Sequence, residues 1–191
     1  MLRDLVVKNR SYRRFHEDHC INAEELRGLV DLARLSATGG NMQPLKFFIS
    51  SDPASNARIF PCLAWAAYLK DWPGPVEGER PSAYIVILGD TRIATNYWCN
   101  HGIAAQSILL GAVEKGLGGC MIAAVNKKKL ADALGMPGRY EVLLVIALGM
   151  PAEEVRIEPV GPDGDIRYWR DEKGVHHVPK RPLDEIVIER F

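Results

Sequence analysis

The chain has 191 residues, 47% of them hydrophobic and 25% charged, which is enough for one domain with a substantial core and argues against intrinsic disorder. Its 24 basic and 24 acidic residues cancel to a net charge of zero. A protein that grips nucleic acid or an anionic membrane by charge is expected to be more basic, so neither is expected as a partner.

In chain order, Leu2, Leu5 and Val6 predict a short amphipathic helix that runs into NRSYRRF, Asn9 to Phe15. Asn22 with Glu25 three residues on resembles a capping box. Behind it Leu26, Leu29, Val30 and Ala33 share one helical face, giving a second helix that ends near Leu35. SATGGNMQP is a loop by its Gly, Asn and Pro content, and KFFIS is a short strand. Between Pro53 and Pro81, Trp65, Tyr68 and Leu69 suggest a helical piece, followed by the punctuated segment WPGPVEGERP.

SAYIVILGD reads as a strand buried on both faces. The stretch from Tyr97 to Lys115 is apolar nearly all round and predicts a central helix. GLGGCMIAAV is a loop and then a strand, and Asn126 caps the helix KKKLADAL, which Gly135 ends. YEVLLVIALGM is a further strand, and DEIVIERF at the end is strand-like. Helices and strands alternate loosely, as in an α+β or three-layer α/β fold.

The opening run MLRDLVVKNR is too charged for a signal peptide. The apolar stretch Gly102 to Val113 is interrupted by Gln106 and Ser107, so no membrane span is expected, and the cytoplasm is the expected location. Cys20, Cys62, Cys99 and Cys120 form no CxxC pair and are expected to be reduced and mostly buried.

The arginines of RSYRRF read first as solvated surface charge and second as half of an anion site. No GxxxxGK[ST] loop is present, and GLGGCM has Met121 where a dinucleotide fingerprint needs its third glycine. His16 and Cys20, Cys99 and His101, and the pair His176 and His177 find no third ligand at metal-binding spacing, so no metal is expected.

Three separated segments remain: RSYRRF; SATGGNMQP, with N-x-Q-P; and HGIAAQSILLGAVEKGLGGCMIAAV, with G-x-x-x-Q before a glycine-rich turn. Together with the PKRPL tail they resemble the nitroreductase family, over nearly the whole chain and least between Pro53 and Pro81. The resemblance implies an α+β nitroreductase-like fold: a central, mostly antiparallel sheet flanked by helices, with a C-terminal strand exchanged onto the partner subunit. It implies one domain over 1–191, a substrate-side lid at 65–81 and a C-terminal extension at 179–191.

It also implies bound FMN at a homodimer interface. Arg10 and Ser11 would hold the phosphate, joined by Lys180 and Arg181, because a guanidinium fork and a hydroxyl both suit phosphate oxygens. Arg13 would reach the ring edge, and Arg14 would be surface charge. Asn9 stands where many relatives carry a second arginine. Thr38, Gly40, Asn41 and Gln43 would come from the other subunit. Gly118 and Gly119 would allow close backbone approach, and Met121, Ile122, Ala123 and Ala124 would pass along the ring, with a backbone N–H near Ala123 or Ala124 donating to N5. No side chain is expected to be catalytic, since flavin N5 carries the chemistry.

The implied reaction is ping-pong hydride transfer from NAD(P)H through FMN to a small-molecule acceptor such as a nitroaromatic or quinone. Other flavin chemistries (dehalogenation, dehydrogenation, flavin breakdown) and a non-catalytic flavin-binding regulator are the alternatives.

Overall fold

In the computed structural model, which describes residues 1–188, the chain opens with α1 (Leu2–Lys8) and the two-residue strand β1 (Phe15–His16). The capping pattern sets the start of α2 (Ala23–Leu35). Asn22 Oδ1 accepts from the Glu25 N–H at 2.9 Å, and Glu25 Oε2 accepts from the Asn22 N–H at 2.9 Å. A 3-10 turn over Gly39–Asn41 leads into β2 (Leu45–Ser50). Asp52 caps α3 (Pro53–Ile59), whose first residue is a proline, where the missing N–H costs nothing.

β3 (Ala83–Asp90) is buried at every residue. α4 (Asn100–Glu114) and β4 (Gly118–Ile122) follow. α5 (Lys127–Leu134) lies between its Asn126 cap, which accepts from the Lys129 N–H at 3.0 Å, and a left-handed Gly135. β5 (Tyr140–Pro151), β6 (Val155–Pro159), β7 (Trp169–Arg170), β8 (His176–Lys180) and α6 (Leu183–Ile186) complete the described chain.

The main sheet has five strands, all paired antiparallel. β2 pairs with β3 and β3 with β5. The far edge of β5 is shared, with β4 along Val145–Gly149 and β1 along Met150–Pro151. Alternation along β3 explains its continuous apolar run. Ala83, Ile85 and Ile87 pack with Leu26 and Leu29 of α2 and Ile108 of α4, while Tyr84, Val86 and Leu88 pack with Ile59 of α3 and Leu130 of α5. Helices therefore cover both faces, as expected for an α+β fold built on a central antiparallel sheet. A second sheet, ordered β6–β8–β7, joins a parallel pair to an antiparallel one.

Four expectations are corrected. Trp65, Tyr68 and Leu69 form no helix. Ala66 has φ 39°, a left-handed conformation that a helix excludes, and the helix of this region lies earlier, at α3. The central helix starts at Asn100 rather than Tyr97, after Trp98 takes φ 43°. The strand expected over DEIVIERF is replaced at its start by the short helix α6, and residues 189–191 lie outside the described part. Of the four cysteines, all free, only Cys62 and Cys120 are buried. Among the described residues no helix is long and apolar enough to cross a membrane.

Candidate functional site

The segment RSYRRF runs along β4. Ser11 bridges to Gly119, and the Tyr12 N–H donates to the Gly119 carbonyl at 3.0 Å. Two glycines make this approach possible. A Cβ at Gly118 would lie 2.6 Å from the Tyr12 ring, and one at Gly119 would lie 2.6 Å from the Ala147 carbonyl oxygen. Their missing side chains thus serve the packing of β4 between β5 and the opening segment. On the other side the Glu153 carboxylate accepts the backbone N–H groups of Arg13 and Arg14, at 2.5 and 3.1 Å.

Backbone pinned on both sides presents the side chains to a cavity of about 290 Å³ whose lining includes Arg10, Ser11, Arg13, His176 and Lys180, with Asn9 and Gln106 also lining it. Asn9 Nδ2 donates to Gln106 Oε1 at 3.4 Å. Three cations from two remote parts of the chain, Arg10 with Arg13 and Lys180, line it, and no acidic residue among the described ones does. Arg10 donates from Nη2 to the Val6 carbonyl at 2.7 Å, yet its Nε is buried without a partner among the described residues. Burial pulls the Arg10 pKa below its usual value, only partly offset by Tyr12. A partly desolvated cation with a spare donor fits an anion.

Arg13 and Met121 also line an adjoining cavity of about 230 Å³, together with Ile122, Ala123 and Ala124 and the segment Ala64, Trp65, Ala66 and Ala67. Beyond β4 the Ala124 carbonyl accepts from the Ala64 N–H and the Ala123 carbonyl from the Val125 N–H, both at 2.9 Å. Among the described residues the N–H groups of Ala123 and Ala124 donate to nothing. Cys120 is buried, and that burial raises its pKa, which suits packing rather than nucleophilic chemistry.

Arg14, expected as surface charge, is instead half-buried in an ion pair with Glu79, with its Nε donating to Glu79 Oε2 at 2.8 Å. The Phe15 N–H donates to the Glu79 carbonyl at 3.0 Å, so the segment before β3 is tied to the opening motif.

The loop with Thr38, Gly40, Asn41 and Gln43 lines neither cavity. It is fastened to the start of α4, where Asn100 Oδ1 accepts from the Gly39 N–H at 2.9 Å, and the Trp98 ring lies where a Gly39 Cβ would be. Asn41 and Gln43 both hold φ 52°, a left-handed conformation that costs on the order of 1–3 kcal/mol in a non-glycine residue. Arg181 is also apart from the cavities and pairs with Glu185 at 3.2 Å.

The second sheet brings residues that sequence reasoning missed. Tyr168, His176 and Val178 line the first cavity, and Glu153 anchors the backbone beneath it. The alternation of HHVPK ahead of Lys180, with one histidine toward the site and the next away, was the available signal. Reading it requires knowing that β8 pairs with the distant β6 and β7. His177 shows the other face: Trp169 stacks on it at 4.0 Å, and its ring nitrogens meet Glu158 and Asp171.

Comparison with known proteins agrees with this architecture. The family model described as the nitroreductase family matches residues 6–150. A candidate NADH dehydrogenase/NAD(P)H nitroreductase of Archaeoglobus fulgidus is 25% identical over 157 residues, covering 78% of this chain and 85% of its own length. Protein DrgA of Synechocystis is 23% identical over 186 residues, covering 79% of this chain and 84% of its own length. Among solved structures, a nitroreductase family protein from Streptococcus pneumoniae superposes with a TM-score of 0.71 at 19% identity and covers all of both chains. An FMN-dependent nitroreductase from Clostridium difficile gives a TM-score of 0.65 at 23% identity, covering 78% of this chain and 87% of its own.

Proposed function

The chain belongs to the nitroreductase family, and on that premise we propose that it is an FMN-dependent oxidoreductase whose cofactor lies along β4 across the two adjoining cavities. The observation that carries this reading is the convergence of Arg10, Arg13 and Lys180 on one cavity that, among the described residues, no acidic side chain lines and where the Arg10 Nε is buried without a partner. Arg10, Ser11 and Lys180 would hold the phosphate. Bound there, FMN would supply hydride transfer, taking hydride from NAD(P)H and passing it to a small acceptor such as a nitroaromatic or quinone.

The chain's own contribution is electrostatic and steric. Arg13, lining both cavities, would place a cation beside the ring edge and favour negative charge there. The N–H groups of Ala123 and Ala124, without an acceptor among the described residues, would donate to the ring, and Trp65 with the neighbouring Ala64, Ala66 and Ala67 would wall the site and exclude water. Thr38, Gly40, Asn41 and Gln43 would complete the site of a second copy of the chain. A loop held in a strained shape and absent from its own subunit's cavities suits that role. Arg181 would join the phosphate only in the dimer, and 65–81 would act as the lid.

The test is anaerobic reduction of the FMN-loaded chain by NADH and by NADPH, followed by addition of a quinone. Bleaching of the flavin by one or both and its return on adding quinone is expected. A loaded protein that neither nucleotide bleaches would leave the oxidoreductase reading without support. A monomer in solution that still retains FMN would overturn the shared site.

A further inference from the structure

His176 is almost wholly buried, at 1% exposure, and its Nε2 lies 3.2 Å from Nη1 of Arg13. A guanidinium has only N–H donors, so Nε2 must be the acceptor, which places the ring proton on Nδ1 and requires a neutral imidazole. A protonated ring would lose that lone pair and set a second cation against the guanidinium. Burial, followed by the charges of Arg13, Arg170 and His177, lowers the His176 pKa to about 4, consistent with a neutral ring near pH 7. Nδ1 itself is buried and has no partner among the described residues, so the Nε2 contact with Arg13 is the ring's one hydrogen bond there. Two further groups surround the pair. The Ser11 carbonyl accepts from the same Nη1 at 3.1 Å, and the Tyr168 ring lies 4.9 Å from the Arg13 guanidinium carbon and 5.1 Å from the His176 ring.

Arg13 has an alternative counter-ion close by, since its own backbone N–H already touches the Glu153 carboxylate. A side chain free to turn toward that anion would have its charge neutralised away from the cavities. We propose that His176 is a positioning residue for Arg13: its Nε2 lone pair, with the Tyr168 face, holds the guanidinium where the two cavities meet. The remaining donors, Nε and Nη2, have no partner among the described residues and stay available to a ligand. The consequence for flavin rests on the reading of Arg13 given under Proposed function.

The experiment uses the full chain and has two arms. The first measures FMN affinity and flavin midpoint potential for His176→Phe and His176→Gln, each in the native and the Arg13→Gln background. His176→Phe removes the acceptor and should weaken FMN binding by about tenfold and lower the potential. His176→Gln can restore an acceptor and should recover most of both. In the Arg13→Gln background His176→Phe should change neither. Equal effects in both backgrounds, or none in the native one, would overturn the proposal in favour of simple packing.

The second arm needs no flavin and no His176 variant. Nitrogen-15 shifts of His176 in the unliganded chain at about pH 6, below the usual histidine value of about 6.5, should show a neutral ring protonated on Nδ1. Arg13→Gln should shift the Nε2 resonance. A ring protonated on Nε2 would overturn the pairing whatever the flavin data show. If the pairing is seen but Arg13→Gln leaves FMN affinity and potential unchanged, the positioning contact stands and the flavin role of Arg13 falls.

Discussion

The Glu153 carboxylate, 1% exposed, holds the Arg170 guanidinium at 2.8 Å. Because the same carboxylate takes the backbone N–H groups of Arg13 and Arg14, one buried anion joins the opening segment to β7. Removing it would strand a cation and two amide donors at once. Glu153→Ala should therefore lower stability by about 3–5 kcal/mol in denaturant unfolding, and Glu153→Asp or Glu153→Gln by less. A loss below about 1 kcal/mol would mean that the pair is not a structural anchor.

The adjacent histidines should shape the pH dependence of stability in opposite senses. Folded His176, lowered to about 4, stays neutral while an unfolded histidine protonates below 6.5, so stability is lost as pH falls between these values. Burial alone would lower the His177 pKa, but its hydrogen bonds to Glu158 and Asp171 outweigh burial and raise it. Its contribution is complete below the unfolded value and is lost as pH rises through the raised folded value. Melting temperature should form a ridge near about pH 6.5. His176→Gln should flatten the acid side and His177→Gln the alkaline side. Profiles unchanged in both variants would refute the assignment.

Arg14 and Glu79 are both more than a quarter exposed, so their ion pair contributes only about 0.5–1 kcal/mol. Arg14→Ala should barely move the melting temperature. It should nonetheless speed amide exchange across 65–81, because the pair helps tie that segment to the opening motif. Unchanged exchange there would show that the other ties are sufficient.

The two site arginines should separate in their effects. Arg10→Ala removes the buried, unpaired donor and should mainly weaken FMN binding, by about tenfold or more. Arg13→Ala should lower the flavin potential with a smaller effect on affinity. Equilibrium titration and spectroelectrochemistry check the pair, and a reversed pattern would mean that the phosphate and ring ends have been exchanged.

Much of this fold could be read from local signals. The Asn22–Glu25 box, the Asn126 cap with Gly135 and the buried run of β3 each place an element through chemistry contained in a few residues. Asp52–Pro53 is an equally local helix start, and reading it would have found α3. The spacing of Trp65, Tyr68 and Leu69 misled because apolar periodicity cannot report the left-handed Ala66. The second sheet was hidden for a different reason. β7 has two residues, β6 is mostly exposed, and their pairing with β8 is long-range. The site divides in the same way. Arg10, Ser11, Arg13, Met121 and Lys180 stand out through motifs and line one cavity, which their spacing alone does not reveal, whereas Glu153, Tyr168 and His176 gain meaning only from tertiary contacts.

Equilibrium binding of FMN to the full chain, set beside the Arg10→Ala, Lys180→Ala double variant, tests the central claim most directly. The account predicts that each native chain takes up one FMN, with a shifted flavin spectrum, and that the double variant binds at least about tenfold more weakly. A native chain that leaves FMN free in solution, or a double variant that binds it as tightly as the native chain, would contradict it.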